Sequence, residues 1–420
     1  MLDRTLAPPF LRSTSFQLIQ PKKISTVQGA DIYYILGGTQ EICKIELIFP
    51  AGRWFEKSAG ASYFAAQLIS KGTKNKSSFE IAELLDQYGA HLEINPGMDV
   101  VSVSLYILTR HLEPSLSLLL DLLTASVFPH KELEQLKSIY LQNMRVNREK
   151  TSFQASTIIR KNIFGETYPY GRELEDDAVI ALPREALVDH FREFYNPSII
   201  LVSGNINDYQ GQLIARALSP FSNFSSIRPG IVPYEKTNPF RQIVEKDGSV
   251  QSSIRMGKTS VARSHRDYSA ILFLNHILGG YFGSRLMKNI REEKGLSYGI
   301  SSSLHTMSMN SYLMIGADVN RENLNLAFTE IRKELHRLRT ERIGSTELET
   351  ARNHFIGSLQ LEITTSFAHA DKFKNILLFN LPEDFYQKLI GRIDQIGADE
   401  LLTIAEGYLN EDSFMEVAVG

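Results

Sequence analysis

An arginine and a tyrosine that lie seven residues apart in this sequence each carry hydrogen-bond donors. Arg291 and Tyr298 lie in a charged segment, residues 290–298, which follows a glycine-rich run at residues 279–286. A guanidinium and a phenol are hydrogen-bond donors, and together they can hold a peptide carbonyl and stabilise the negative charge that develops on its oxygen. The alternative interpretation is an exposed helix end, capped by Gly295, with Tyr298 opening the next strand.

The histidines and the cysteine offer no local metal site. The ten histidines are never closer than eleven residues apart, so no pair has the spacing that places two imidazoles on one helix face. The single cysteine, Cys43, excludes an intrachain disulfide and a cysteine-based metal cluster. It lies in the alternating run 42–49, which predicts that it is a buried strand residue. A metal site assembled from distant residues stays open as an alternative.

Length and composition predict a two-domain globular protein. A chain of 420 residues exceeds the usual size of a single core, and 43% hydrophobic with 22% charged residues is ordinary for such proteins. A net charge of −3 gives no bulk attraction to nucleic acid or to an anionic membrane. No apolar run is long enough for a membrane span, and residues 1–9 lack the pattern of a secretion signal, so we expect a cytoplasmic protein without membrane insertion.

Strand-like and helix-like segments alternate in two halves and predict an α+β fold. The predicted strands are residues 31–36, 43–49, 98–107, 198–204, 252–258, 298–304 and 311–318. The predicted helices are residues 60–70, 78–88, 113–125, 131–147, 153–164, 184–195, 268–278, 284–293, 324–339, 345–359 and 383–390. The similar order in the two halves suggests an internal duplication, with an N-terminal domain at 1–217, a proline-bearing linker at 218–244 and a C-terminal domain at 245–420.

The stretch at residues 51–73 resembles the active site of the pitrilysin/insulinase (processing-peptidase-like) family of zinc metallopeptidases. That family carries His-x-x-Glu-His on a helix that leads to a segment similar to residues 71–73 here. The two histidines bind zinc and the glutamate activates the metal-bound water. In this chain the three positions read Tyr63, Ala66 and Gln67, and the position of the family's third ligand, a glutamate on a later helix, reads Asn143. None of the four is a usable zinc ligand or general base.

The segment with Arg291 and Tyr298, together with the preceding glycine-rich run, is similar to an element of the family's C-terminal domain. In family members this pair reaches across a cleft to the substrate at the zinc centre. The resemblance covers roughly residues 20 to 415 and implies two homologous α/β domains, each with an antiparallel-containing sheet flanked by helices, enclosing a cleft.

The resemblance implies the non-catalytic subunit of a heterodimeric zinc endopeptidase. Such a subunit binds unfolded peptides, has no activity alone and supplies Arg291 and Tyr298 to the zinc site of a homologous partner that carries His-x-x-Glu-His. This chain would bind no cofactor, zinc would lie in the partner, and the isolated chain could form a homodimer. Two alternatives stay open: a stand-alone peptide-binding or scaffold protein, like the family's respiratory-complex core subunits, and a peptidase with a divergent metal site.

Overall fold

The structure is a computed structural model that describes residues 16–25, 30–221 and 238–420. Residues 1–9, on which the prediction about secretion rests, lie outside the described residues, as do residues 222–237 of the predicted linker. Elsewhere in the predicted linker, Leu218 and Phe221 are buried in the core of the first half, and Arg241–Val244 form a strand. No helix in the described ranges is long and apolar enough to cross a lipid bilayer.

The first half contains a six-stranded sheet and the helices around it. Its strands are β1 (Lys22–Ser25), β2 (Asp31–Leu36), β3 (Ile42–Phe49), β4 (His91–Pro96), β5 (Val101–Leu108) and β6 (Ile199–Gly204). Its helices are α1 (Ala61–Leu68), α2 (Ser78–Tyr88), α3 (Leu112–Ala125), α4 (His130–Arg148), α5 (Thr151–Phe164), α6 (Asp176–Ala181), α7 (Arg184–Phe194) and α8 (Asp208–Ala217).

The second half contains a five-stranded sheet. Its strands are β7 (Arg241–Val244), β8 (Gln251–Ser260), β9 (Ile300–Thr306), β10 (Ser311–Asn320) and β11 (Met415–Val419). Its helices are α9 (Tyr268–Asn275), α10 (Leu324–Thr340), α11 (Ser345–Leu361), α12 (Ser366–Leu378), α13 (Phe385–Gln395) and α14 (Ala398–Tyr408). Two π-helical segments, His276–Gly280 and Met287–Glu293, lie between α9 and β9.

The two sheets repeat one topology. The first has the strand order β1-β2-β6-β3-β5-β4, and the second has the order β7-β11-β8-β10-β9. In each sheet one pair is parallel, β2 with β6 and β7 with β11, and the remaining pairs are antiparallel. Without β1, the first order matches the second strand for strand. The predicted α+β class is therefore confirmed, and the repeated order is what an internal duplication produces.

Local sequence signals explain which predicted bounds agree with the structure. Residues 31–36 and 78–88 form β2 and α2 with the predicted bounds, and a reciprocal capping box between Ser77 and Glu80 begins α2. The predicted strand start at residue 98 is wrong, because residues 97–100 turn between β4 and β5, with Gly97 N–H donating to Val100 O at 2.9 Å. The sequence patterns missed eight of the described elements: β1, β4, β7, β11, α6, α8, α12 and α14. Cys43 is buried, as predicted, and burial raises the pKa of its thiol to about 12.

Each half covers one face of the other half's sheet with a helix. From the second half, α12 packs on β2 and β6, where Phe373 and Ile376 share one core cluster with Ile35. From the first half, α5 packs on β8 and β11. Gly257 of β8 permits this close approach, because a Cβ atom added there would lie 2.8 Å from Ile163 Cδ1. The two sheets are therefore buried only when both halves are present.

A network of four charges lies where α12 meets β3. Lys44 Nζ lies 2.9 Å from Glu46 Oε2 and 3.3 Å from Asp371 Oδ1, and Lys374 Nζ lies 2.9 Å from Glu46 Oε1. The side chains of Lys44 and Glu46 are 6% and 2% exposed. Burial lowers the pKa of Lys44, but the two neighbouring carboxylates outweigh burial and the pKa is raised overall. Opposite charges from the two halves thus compensate the cost of burying ions at this contact.

We expect Glu46→Gln to lower the free energy of unfolding by about 3 kcal/mol, because it leaves Lys44 buried with only Asp371 as a counter-charge. Urea unfolding followed by circular dichroism measures the change. Asp371→Asn is the matched control on the same network, since this carboxylate is 51% exposed and its loss is expected to cost less than about 1 kcal/mol. Equal losses for the two variants would contradict burial as the cause.

Candidate functional site

A buried glutamate fixes the start of α1, the helix that corresponds to the predicted zinc-binding segment. Glu56 Oε2 accepts hydrogen bonds from the N–H groups of Gly60 at 3.0 Å and Ser62 at 3.4 Å, while Oε1 lies 2.5 Å from Arg172 Nη2. A carboxylate at this end of a helix satisfies free amides and favours the helix dipole. Burial raises the pKa of Glu56, although Arg172 and Arg53 oppose the change.

The resemblance assigns three residues of α1 to the family's His-x-x-Glu-His positions, two ligands and the general base, and these residues have different surroundings. Tyr63 is half-buried, and its ring packs on that of Tyr140 of α4 with 5.2 Å between ring centroids. Ala66 is fully buried, and Gln67 is half-buried, with no side-chain hydrogen bond to the described residues. Burial raises the pKa of both tyrosines, so their phenols are neutral donors at physiological pH.

Asn143, at the position of the third ligand, is exposed on α4. Ile139 and Val146 lie on the same helix face and are 45% and 56% exposed. A phenol, a methyl group and two amides supply none of the imidazole, thiolate or carboxylate groups that zinc prefers. Within the described residues, no three His, Cys, Asp or Glu side chains form a group that could hold a metal. The residues at the four positions therefore do not fit a zinc ion.

Arg291 and Tyr298 come together at the surface of the second half, and Phe282 joins them. The guanidinium carbon of Arg291 lies 4.6 Å from the ring centroid of Phe282 and 5.5 Å from that of Tyr298. Phe282 is 62% exposed and Tyr298 is 93% exposed. Arg291 makes no hydrogen bond or ion pair with the described residues. Cation–π contacts thus orient the guanidinium in this arginine–aromatic trio without using its N–H groups.

Buried polar contacts position the segments that carry the trio. Arg285 donates from Nε and Nη2 to Glu347 of α11, at 2.7 and 3.0 Å. Asn289 Nδ2 donates to Glu334 and Glu330 of α10, at 2.6 and 3.1 Å. Both arginine and asparagine are buried, so these contacts are charge-assisted and shielded from water. The π-helical segment Met287–Glu293 is therefore fixed on two helices of the second half.

A histidine pair supports the glycine-rich turn that presents Phe282. His276 Nε2 lies 3.1 Å from His354 Nδ1, and the ring of Tyr281 stacks on His276 with 4.6 Å between centroids. Burial and the neighbouring His354 lower the pKa of His276 to about 4. His276 is therefore neutral at physiological pH, and one N–H···N hydrogen bond joins the two rings.

The structure brings the predicted residues into two separate places. Tyr63, Gln67 and Asn143 belong to α1 and α4, whereas Arg291 and Tyr298 belong to the trio. No hydrogen bond, ion pair or ring contact joins the two groups within the described ranges. Sequence reasoning missed Phe282 and Tyr140, because contacts between rings of different elements leave no spacing signal. The glycine-rich run that contains Phe282 was the only available indication.

Two family models match the chain. One, described as insulinase (peptidase family M16), matches residues 36–175, and the other, described as the peptidase M16 inactive domain, matches residues 181–355. Among curated relatives, the chain is 23% identical to an uncharacterized zinc protease, YmxG, of Bacillus subtilis over 84% of this chain and 86% of that protein. It is 21% identical to the non-peptidase homolog YmxG of Helicobacter pylori over 81% and 80%.

Solved structures share the fold. A peptidase M16 inactive domain from Pseudomonas fluorescens superimposes with a TM-score of 0.86 at 21% identity, covering 96% of this chain and 98% of that one. The periplasmic protease PqqL from Escherichia coli matches with a TM-score of 0.78 at 14% identity, covering 100% of this chain and 49% of that chain. A chain of complex III from Candida albicans matches with a TM-score of 0.75 at 13% identity, covering 95% of both chains.

The two family models cover adjoining parts of the chain, and the fold agrees with them over nearly its whole length. The residues that the resemblance assigns to the family's ligand and base positions do not fit the metal. This chain belongs to the insulinase family of peptidases, family M16, as a non-catalytic member.

Proposed function

We propose that this chain is the non-catalytic subunit of a heterodimeric zinc endopeptidase and that it binds unfolded peptides. In this proposal a homologous partner carries His-x-x-Glu-His and the zinc ion. Arg291 and Tyr298 donate hydrogen bonds to the scissile carbonyl that the partner's zinc polarises. Donors aimed at an oxygen that becomes negative stabilise the transition state more than the ground state.

The trio of Phe282, Arg291 and Tyr298 is the observation that carries this proposal. Its guanidinium has no intramolecular acceptor within the described residues, and its phenol is almost fully exposed. No intramolecular hydrogen bond to the described residues has to be broken before these donors bind a ligand, and the aromatic contacts reduce the conformational entropy that binding would remove. A surface arginine selected only for charge would need neither ring. The arrangement therefore favours a ligand that accepts hydrogen bonds, such as a peptide carbonyl.

The size of the match to PqqL supports a two-unit assembly. The whole of this chain corresponds to 49% of that protease, so about half of the longer protein lies outside the match. That remainder is large enough for a second unit of this size. A separate partner chain would supply the corresponding unit here.

Edge strands offer a place for the peptide backbone. The first sheet ends at β4 and the second ends at β9, and each pairs with a described strand on one side only. An extended peptide can add to such an edge through main-chain hydrogen bonds, which select for length and flexibility rather than for sequence. We therefore propose unfolded peptides as ligands. The cytoplasmic location stays a prediction.

The scaffold alternative is favoured by a different observation. The match to a chain of complex III extends over 95% of both chains, and that match shows the fold within a respiratory assembly. In this alternative the chain binds peptides or proteins without any proteolysis. The trio would then have no carbonyl to polarise.

We expect the full-length tagged chain, purified from its native cells, to bring with it a homologous chain that carries His-x-x-Glu-His at near one-to-one ratio. Mass spectrometry of the purified complex identifies and quantifies this companion. Recovery of this chain alone, or within an unrelated assembly, would favour the scaffold alternative.

In the reconstituted complex, we expect Arg291→Ala to lower kcat by about 10² to 10³, the usual loss when one donor to a developing oxyanion is removed. We expect Tyr298→Phe, which keeps the ring beside the guanidinium, to lower kcat by about tenfold through loss of the hydroxyl alone. Steady-state cleavage of a fluorogenic peptide measures both effects.

Arg266→Ala is the matched control for this pair of variants, because the Arg266 side chain is 88% exposed and lies outside the trio. Its kcat is expected to equal that of the unmodified complex. A fully active Arg291→Ala complex would rule out the assigned role.

We expect the isolated chain to contain less than about 0.1 zinc per chain after purification in zinc-containing buffer, because the residues at the four ligand and base positions do not bind zinc. Elemental analysis by mass spectrometry measures the content. One zinc per chain would support a peptidase with a divergent metal site and would contradict the proposed division of roles.

A further inference from the structure

A cavity lies between α1, α4 and the end of β4, beside the positions that bind zinc in active family members. Its volume is about 350 Å³, at the lower end of the range for small-ligand sites. The rings of Tyr63 and Tyr140, which contact each other at an interplanar angle of 58°, form one wall, and Met98 and Leu174 add apolar surface. The guanidinium of Arg53 also lines the cavity, and it donates no hydrogen bond to any residue that the structure describes.

Arg53 is an incompletely compensated charge. Its side chain is 19% exposed, and its Nε lies 3.8 Å from Glu56 Oε1, which is too far for a hydrogen bond. That carboxylate is already bound to Arg172 at 2.5 Å and to the amides that begin α1. Two guanidinium groups thus face one carboxylate. Burial, reinforced by Arg172 and opposed by Glu56, lowers the pKa of Arg53, so a second anion beside it would be stabilised.

Two more donors converge on the same space. The hydroxyl groups of Tyr63 and Tyr140 make no hydrogen bond with the described residues, and both side chains line the cavity. A neutral phenol donates one hydrogen bond, and a carboxylate accepts several. One guanidinium and two phenols are therefore a donor set for a carboxylate, surrounded by rings and apolar side chains that suit an apolar neighbour.

The cavity opens at a free sheet edge. Pro96, the last residue of β4, lines it together with Gly97, and no described strand pairs with the outer side of β4. A peptide strand that runs parallel to β4 along this side would end at the cavity. Its terminal carboxylate would then lie beside Arg53, and its last side chain would lie between the tyrosine rings and Leu174.

We propose that this cavity binds a carboxylate that is attached to an apolar or aromatic group, with Arg53 paired to the carboxylate and Tyr63 and Tyr140 as further donors. Two sources share this chemistry: the C-terminal residue of an extended peptide and a free aromatic carboxylic acid. The site involves neither a partner chain nor the trio around Arg291. The failure of this proposal would therefore leave the proposed function untouched, and the reverse also holds.

The single tryptophan, Trp54, follows Arg53 in the chain, and its backbone N–H donates to the carbonyl oxygen of Met98, a residue that lines the cavity, at 2.8 Å. The full-length chain is titrated with three probes, and calorimetry measures binding, with tryptophan fluorescence as a second measurement. The probes are an acetylated octapeptide of alternating threonine and valine that ends in phenylalanine, the same peptide with an amidated C-terminus, and N-acetylphenylalanine. We expect the free-acid peptide to bind at least about tenfold more tightly than its amide, since the amide loses the charge-assisted bonds to the guanidinium.

Variants test each donor. Arg53→Met is expected to weaken binding of the free-acid peptide by at least about tenfold and to abolish the preference over the amide. Arg53→Lys keeps the charge but not the paired N–H groups, so an intermediate loss is expected. Tyr140→Phe keeps the ring and is expected to weaken binding about threefold to tenfold. Tyr209→Phe, at a tyrosine of α8 that is 71% exposed, is the matched control and is expected to change nothing.

The outcomes distinguish a peptide C-terminus from a free carboxylic acid as the source of the carboxylate, and they include results that would overturn the proposal. Tighter binding of the octapeptide than of N-acetylphenylalanine identifies a peptide end, and equal binding identifies a small carboxylic acid. Equal binding of acid and amide, an unchanged affinity in the Arg53→Met and Tyr140→Phe variants, or no binding of any probe would overturn the proposal. The comparison of acid with amide needs no variant, so it decides the matter even where a substitution at Arg53 prevents folding.

Discussion

Each half of the chain places one helix on the sheet of the other half, and the rest of this structure depends on this exchange of helices. α12 buries the outer face of β2 and β6, and α5 buries the corresponding face of β8 and β11. A sheet with one uncovered apolar face is not stable in water, because burial of apolar area is the main favourable term in folding. Each half therefore needs the other to complete its core. The two sheets, which share one topology, therefore belong to a single folding unit, wherever the domain boundary is drawn in the sequence.

The exchange also explains where buried charges occur. Lys44 and Glu46 lie on the face of β3 that meets α12, and Lys374 and Asp371 complete the network from the helix. At the other exchanged helix, Arg255 of β8 donates to Ser156 of α5 at 3.0 Å. Buried ions are tolerated where each has a partner of opposite charge or a hydrogen-bond acceptor. These polar contacts fix the position of each helix more strictly than apolar packing alone would, since a shift would leave an ion unpaired.

The two candidate sites lie on elements that this arrangement makes rigid. α1, which resembles the family's zinc-binding helix, is capped by Glu56 and packs against α4 and α7. Tyr63 of α1 and Tyr140 of α4 line a cavity together with Arg53, whose Nε lies 3.8 Å from Glu56 Oε1. The trio of Phe282, Arg291 and Tyr298 rests on segments fixed to α10 and α11. We propose that the trio binds a peptide carbonyl and that the cavity beside α1 binds a carboxylate.

The sequence by itself determined the α+β class, the bounds of β2 and α2 and the burial of Cys43, and it predicted that Tyr63, Ala66, Gln67 and Asn143 stand where the family has three zinc ligands and a general base. These features depend on periodicity, on capping residues and on residue identity, all of which are local. Only the tertiary structure decided that α12 packs on the sheet of the first half and α5 on the sheet of the second. It also decided that Phe282 contacts Arg291. The same holds for the cavity that Arg53, Tyr63 and Tyr140 line together. The reason is physical: each of these contacts joins residues far apart in the chain, and their free energy comes from burial and charge pairing that exist only after the elements have packed.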